Sequence, residues 1–162
     1  MGNPIINGDM IECSMACTLP PGVPQPGPLV PGPISKIPNL LTILPTCKVM
    51  IHGNFAATIM DNKPMVNIKP FQMSCGSPAN LSNVNATITA TIAATAAALG
   101  VPTPMHVYTP CFPNFTAPWI PPKTCTFIAG NSAIDKTSIV ICANGGVVKI
   151  SSASALRVSV SK

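Results

Sequence analysis

Thr46-Cys-Lys-Val-Met-Ile-His-Gly-Asn-Phe-Ala56 and Thr124-Cys-Thr-Phe-Ile-Ala-Gly-Asn-Ser-Ala133 are two versions of one phrase, the second shorter by one residue. Each carries a short apolar run into a Gly-Asn turn signal and then resumes, which is the pattern of a β-hairpin. Each is followed by an apolar stretch that ends on a cysteine: Asn67-Ile-Lys-Pro-Phe-Gln-Met-Ser-Cys75 after the first and Ile139-Val-Ile-Cys142 after the second. A third, shorter version stands near the N-terminus as Gly8-Asp-Met-Ile-Glu-Cys13. Three strands that each close on a cysteine predict a pseudo-threefold arrangement inside one chain.

Working outward from the repeat, the rest of the chain also reads as β. Short strands are expected over 48–52, 55–60, 64–69, 126–129, 138–142, 147–150 and 156–160, separated by Gly, Asn and Asp turn signals. One helix interrupts them, expected over 83–99. Asn80 or Ser82 is the expected cap, Val84, Ile88, Ile92 and Leu99 fall on roughly one face, and Gly100 stands where a C-terminal glycine belongs. Its natural role is packing. Nine of the 20 prolines lie between Thr18 and Pro45, interleaved with Gly22, Gly27 and Gly32. Such a stretch forms extended chain and turns. Residues 18–46 are therefore read as a Pro-rich loop or arm, which either wraps the domain or docks a partner.

Composition narrows the function. At 162 residues the chain is one domain's worth, expected as a single unit over 1–162. Charged residues are 8% of it and the mean hydropathy is +0.44, whereas a soluble domain usually carries about a quarter charged residues. Part of the surface is thus expected to be covered by a partner. The net charge of +5 is scattered without a basic run, and aromatics are 4%, so nucleic-acid binding is not expected. The N-terminus lacks a basic segment followed by an apolar one, so no signal peptide is expected and the chain is read as made in the cytoplasm. No Ser-His-Asp, Cys-His, P-loop or HExxH signature occurs, and the acids are only Asp9, Glu12, Asp61 and Asp135. No catalytic residues are assigned, and the expectation is that the chain is not an enzyme.

The seven cysteines are Cys13, Cys17, Cys47, Cys75, Cys111, Cys125 and Cys142. In a reducing compartment metal binding competes well with disulfides. If the three repeat strands converge, Cys13, Cys75 and Cys142 converge with them. Cys111, held between prolines in Thr109-Pro-Cys-Phe-Pro113, is the fourth candidate. Four thiolates suit a structural zinc site; iron is the other option. Cys47 and Cys125 read as buried thiols, a disulfide or a second metal pair, and Cys17 as merely packed. His52 and His106 read as ordinary polar residues. The alternative function is a cysteine-rich secreted binding or adhesion module, which the odd cysteine count and missing signal peptide disfavour. A hydrolase or toxin lacks its constellation.

A series of short motifs then appears in order: Gly8-Asp-Met-Ile-Glu-Cys13, Ala57-Thr-Ile-Met-Asp61 with Lys63-Pro64, Asn67-Ile68 with Pro70-Phe71, the Ala-rich 93–100 segment, Thr103-Pro-Met105, Pro110-Cys111 with Pro113, Ala117-Pro-Trp119, and Cys142-Ala-Asn-Gly-Gly146. This series resembles the PAAR-like spike-tip family, long filed as a domain of unknown function, from about residue 8 to about residue 150. The resemblance implies a small β-rich cone with a metal near its apex and a base seated on a trimeric spike protein (VgrG-like or phage-hub-like), one copy per trimer. The setting it implies is a contractile injection system of the type VI secretion or phage-tail-like kind. The tip would meet the target membrane transiently and leave the cell with the injection particle. The family's four cysteine positions match Cys13, Cys75, Cys111 and Cys142. The sequence departs from the pattern in an extra residue before Cys75, an insertion at His106–Thr109, a longer Pro-rich arm, and Asn144 where the pattern often has an aromatic.

Overall fold

The computed structural model describes residues 3–17, 24–26, 38–45, 49–71, 74–77, 79, 94, 97–100, 105–121 and 126–155, with the backbone alone at 17, 24–26 and 105–107. It is mainly β, built from short antiparallel sheets. The largest sheet orders its strands Ile139–Ile141, Val147–Ser152, Met10–Cys13 and Asn39–Leu40. A three-stranded sheet joins Ala16–Cys17, Ser74–Cys75 and Thr109–Pro110. Pro24–Pro26 pairs with Met105–Val107, which ties part of the proline arm to the residues before Cys111.

The repeat phrase folds as two matching hairpins. Met50–Ile51 pairs with Asn54–Phe55, and Phe127–Ile128 pairs with Asn131–Ser132. The turn residues have φ of 50° and 80° at His52 and Gly53, and 48° and 82° at Ala129 and Gly130. Positive φ at both central positions is the type I′ turn, whose twist matches that of the flanking strands. Glycine takes this conformation without cost; Ala129 and His52 do not. The one-residue difference between the phrases falls before Val49 and Thr126, because Ala56 N donates to Val49 O (3.0 Å) as Ala133 N donates to Thr126 O (2.8 Å).

Just beyond the hairpins the chain closes a ring. Ile5 N donates to Ile134 O (3.3 Å), Ile134 N to Ala57 O (3.3 Å), and Ala57 N to Ile5 O (2.8 Å). A second cycle runs alongside: Asn7 N to Phe55 O, Ile59 N to Ser132 O, and Lys136 N to Asn3 O. Bridges Pro4 with Asp135, Ile6 with Ala56, and Thr58 with Ala133 complete it. Three segments thus pair cyclically, each with both others, which is pseudo-threefold symmetry made by one chain. Ile5, Ala57 and Ile134, the residues of the inner cycle, are buried. Pro4 stands where Ala56 and Ala133 donate to their outer hairpin strands; it has no N–H and needs no acceptor there.

Each segment leaves the ring through a four-residue turn of one design. Asp9 N donates to Ile6 O, Asp61 N to Thr58 O, and Ser138 N to Asp135 O. In each, the last side chain accepts from the first backbone N–H: Asp9 Oδ2 from Ile6 N (2.9 Å), Asp61 Oδ2 from Thr58 N (2.7 Å), and Ser138 Oγ from Asp135 N (2.9 Å). The core fills the space beyond, with Ile11, Leu41, Ile68, Phe71, Trp119, Val140 and Val148 buried. Trp119 Nε1 donates to Asp61 O (2.9 Å), so the indole's polar atom is satisfied inside the core.

Three expectations need correction. Residues 64–69 form a turn rather than a strand: Pro64 bridges Ile68, Met65 has φ 64°, and Asn67 Oδ1 accepts from Lys63 N (3.1 Å) while its Nδ2 donates to Thr42 O (2.8 Å). A side chain satisfying the local backbone replaces ladder pairing. The apolar stretch to Cys75 is likewise no continuous strand: Ile68 makes isolated bridges to Pro64 and Leu41, 69–71 are not strand, and Ser74–Cys75 pairs in a different sheet from Cys13. Ala79 is helical, one residue before the earlier of the two expected helix caps. Ala94, Ala97 and Ala98 are helical, and Gly100, with φ 70° and its N donating to Ala97 O (3.2 Å), closes that end as expected. The middle of the expected helix, the expected strand 156–160, Cys47, Cys125 and the side chains of Cys17 and His106 lie outside the described residues. Among the described residues no helix is long and apolar enough to cross a membrane.

Candidate metal centre

Two of the strands that leave the ring carry a cysteine at the far end. From Asp9 to Cys13, and from Ser138 to Cys142, four residues of extended chain cover roughly 13 Å. Cys13 and Cys142 therefore end up on the side of the domain away from the ring. Cys75 and Cys111 arrive there by another route, on the three-stranded sheet, where Cys75 pairs opposite Thr109 and Cys111 follows two residues later. All four candidate ligands named from the sequence, Cys13, Cys75, Cys111 and Cys142, line one cavity, together with Met15, Phe71, Phe112, Phe115 and Asn144. All four are buried thiols rather than disulfide halves.

The loops that bear them are cross-tied. Gly76 N donates to Met15 O (2.9 Å), joining the loops after Cys75 and Cys13. Ala143 N donates to Asn114 O (2.7 Å), and Phe115 bridges Cys142, joining the loops after Cys142 and Cys111. Ser14 N donates to Val147 O (2.9 Å) and Ser14 Oγ accepts from Val147 N (2.9 Å), joining Cys13 to the turn after Cys142. That turn is closed by Cys142 N to Gly146 O (2.7 Å) and Gly145 N to Cys142 O (2.9 Å). Gly146 packs so near Cys13 that a Cβ built on it would lie 2.9 Å from Cys13 Sγ.

The electrostatics follow from burial. Desolvation pushes the Cys13 thiol up to about 11, against backbone N–H donation from Met15 and Ala16 and with added repulsion from Cys75 and Cys142. Desolvation pushes Cys111 up to about 12, opposed by donation from the Phe71 backbone and reinforced by Cys75, Cys13 and Cys142. Each of these thiols therefore feels the other three or two of them, and each has a backbone donor that favours the thiolate. Met15 N lies 3.5 Å from Cys13 Sγ. A cation among them would offset the desolvation and displace the protons.

The chain matches the family described as Domain of unknown function (DUF4280) over residues 33–154. It is a member of the DUF4280 family. The match takes in Cys75, Cys111 and Cys142 and the second and third ring segments, while Cys13 and the first ring segment precede it. No curated protein and no solved structure matches the chain. The DUF4280 description assigns no activity, so the chemistry must be argued from the side chains.

Four thiols on one cavity are a donor set for a thiophilic cation such as zinc or iron, and the set contains no carboxylate or imidazole that would favour a harder ion. Among the described residues, no group of three or more His, Cys, Asp or Glu side chains is already gathered into a metal-holding set. Closing the four sulfurs onto one ion thus requires side-chain adjustment within the cavity. The donor chemistry fits zinc or iron; Cys13, Cys75, Cys111 and Cys142 would hold it, and it would supply a cross-link between segments distant in sequence.

Proposed function

We propose that this chain is a structural tip for a contractile injection spike: its ring end caps a trimeric spike protein, and a metal held by Cys13, Cys75, Cys111 and Cys142 staples the opposite end. The observation that carries this reading is the closed pseudo-threefold ring. A monomer that seats on a threefold trimer must offer three similar edges to three similar subunits, and three chain segments with matching turns supply them. One copy per trimer follows from the same geometry.

The surface is consistent with a covered end. Met50 and Phe127, equivalent residues of the two hairpins, are 53% and 62% exposed, and Met60 in a ring turn is also exposed. Exposed apolar side chains on two of the three segments are what a partner interface needs at its centre. At the other end the four thiols sit among buried Phe71, Phe115 and Val148, and a metal there would cross-link segments distant in sequence; structural zinc contributes on the order of 10 kcal/mol to folding in small domains. No step of this role needs catalysis. The spike brings the chain into passing contact with the target membrane, and the injection machine supplies the work.

The test has two arms. Purified under reducing conditions, the chain should carry about one zinc or iron; a protein that carries neither and takes up neither when supplied sinks the staple. Mixed with its trimeric spike, it should form a complex of one chain per trimer, abolished by Met50→Asp with Phe127→Asp. A complex of three chains per trimer, or none, sinks the cap.

A further inference from the structure

Asn144 stands in the turn between Cys142 and Gly146 and lines the four-cysteine cavity. Its side-chain Nδ2 donates to Phe112 O (3.2 Å), the carbonyl next to Cys111. Its backbone carbonyl accepts from Ser77 Oγ, two residues beyond Cys75. Ser77 is buried, and its Oγ lies 3.5 Å from where a Cβ on Gly145 would stand, so the hydroxyl is seated against the turn. One residue therefore touches the segments of Cys75 and Cys111 while belonging to the segment of Cys142.

We infer that Asn144 is a positioning residue that clasps three of the four cysteine segments and sets the spacing of their thiols. It rests on the metal reading above for the ligand it serves. The fourth segment needs no such clasp, because Ser14 already bonds Val147 in both directions. Asn144 ties two segments by oppositely directed hydrogen bonds, and alanine at 144 keeps the backbone carbonyl for Ser77 while losing the side-chain donor to Phe112. Hydrogen-bonding partners that orient metal ligands typically change affinity by about ten- to a hundredfold when removed.

The experiment titrates cobalt(II) into the reduced full chain and follows the thiolate-to-cobalt charge-transfer absorption. The same proteins, metal-free, are reacted with Ellman's reagent. Asn144→Ala should raise the cobalt dissociation constant by about ten- to a hundredfold and speed thiol modification severalfold. Ser77→Ala should do the same to a smaller degree, and serves alone if Asn144→Ala does not fold. Asn62→Ala removes a similar bond, Asn62 Nδ2 to Ala117 O (2.7 Å), away from the cavity and should leave both readouts within about twofold. Asn144→Ala and Ser77→Ala matching the wild type in both readouts, or Asn62→Ala shifting them as much, overturns the inference. Wild type that takes up no cobalt sinks the metal reading instead, and the thiol rates then decide the clasp on their own.

Discussion

Replacing Gly146 by alanine puts a methyl carbon 2.9 Å from Cys13 Sγ and 3.5 Å from Met15 Cβ. Comfortable carbon contacts begin near ~3.5 Å, so about half an ångström must be found by moving the sulfur or the 13–16 loop. Neither gives easily. Cys13 Sγ is one bond from Cβ, and the loop is held by Ser14 to Val147 and by Met15 O accepting from Gly76. Backbone strain adds nothing, because Gly146 is not among the glycines at positive φ. The cost is therefore pure overpacking, about 1–3 kcal/mol, which for a chain of this length lowers Tm by about 2–4 °C per kcal/mol. Thermal denaturation of the metal-free protein measures it. The same substitution made in Cys13→Ala, where the sulfur is gone, should cost under about 0.5 kcal/mol, the coupling expected only of residues in contact. An equal cost in both backgrounds would refute the placement of Cys13 against the turn.

Chelation should lower the Tm of wild type and leave Cys142→Ser nearly unchanged, since a serine cannot complete a thiolate set; scanning calorimetry with and without chelator reads it. Metal retention should fall as pH is lowered, because the Cys13 and Cys111 thiols, pushed up to about 11 and about 12 by burial, lose their protons to water when a cation displaces them and regain them as pH falls; chelator competition at a series of pH values checks the sign. Asp9→Ala should cost about 2–4 kcal/mol, since it strips the acceptor from Ile6 N (2.9 Å) and Ser154 N (2.8 Å) in a buried site; denaturant unfolding gives the value. Ala129→Gly should stabilise by about 0.5–1 kcal/mol by relieving a left-handed alanine in the second hairpin turn, again by denaturant unfolding.

The two hairpins were legible because Gly53-Asn54 and Gly130-Asn131 announce a turn whose geometry few residues accept. Cys13, Cys75 and Cys142 were grouped because each closes a repeat strand, and Cys111 joined them through its flanking prolines. The ring was not. Its turns read Ile6-Asn-Gly-Asp9, Thr58-Ile-Met-Asp61 and Asp135-Lys-Thr-Ser138, and only the fourth residue matters, where either a carboxylate or a hydroxyl can accept the same N–H. Strict self-similarity is therefore absent although the geometry repeats. Residues 64–69 misled for the opposite reason: their alternation suits a strand, but the bond from Asn67 to Thr42 comes from a segment distant in sequence. The threefold also ends before the cysteines. Cys13 ends one strand of the largest sheet and Cys142 directly follows another, while Cys75 enters on a different sheet, as the extra residue before Cys75 hinted.

The most direct test of the cap is imaging of injection particles assembled with and without this chain. One compact density should stand at the spike end, its ring toward the trimer and its four cysteines pointing away, and be missing from particles that lack the chain. Identical spike ends in the two preparations would contradict it.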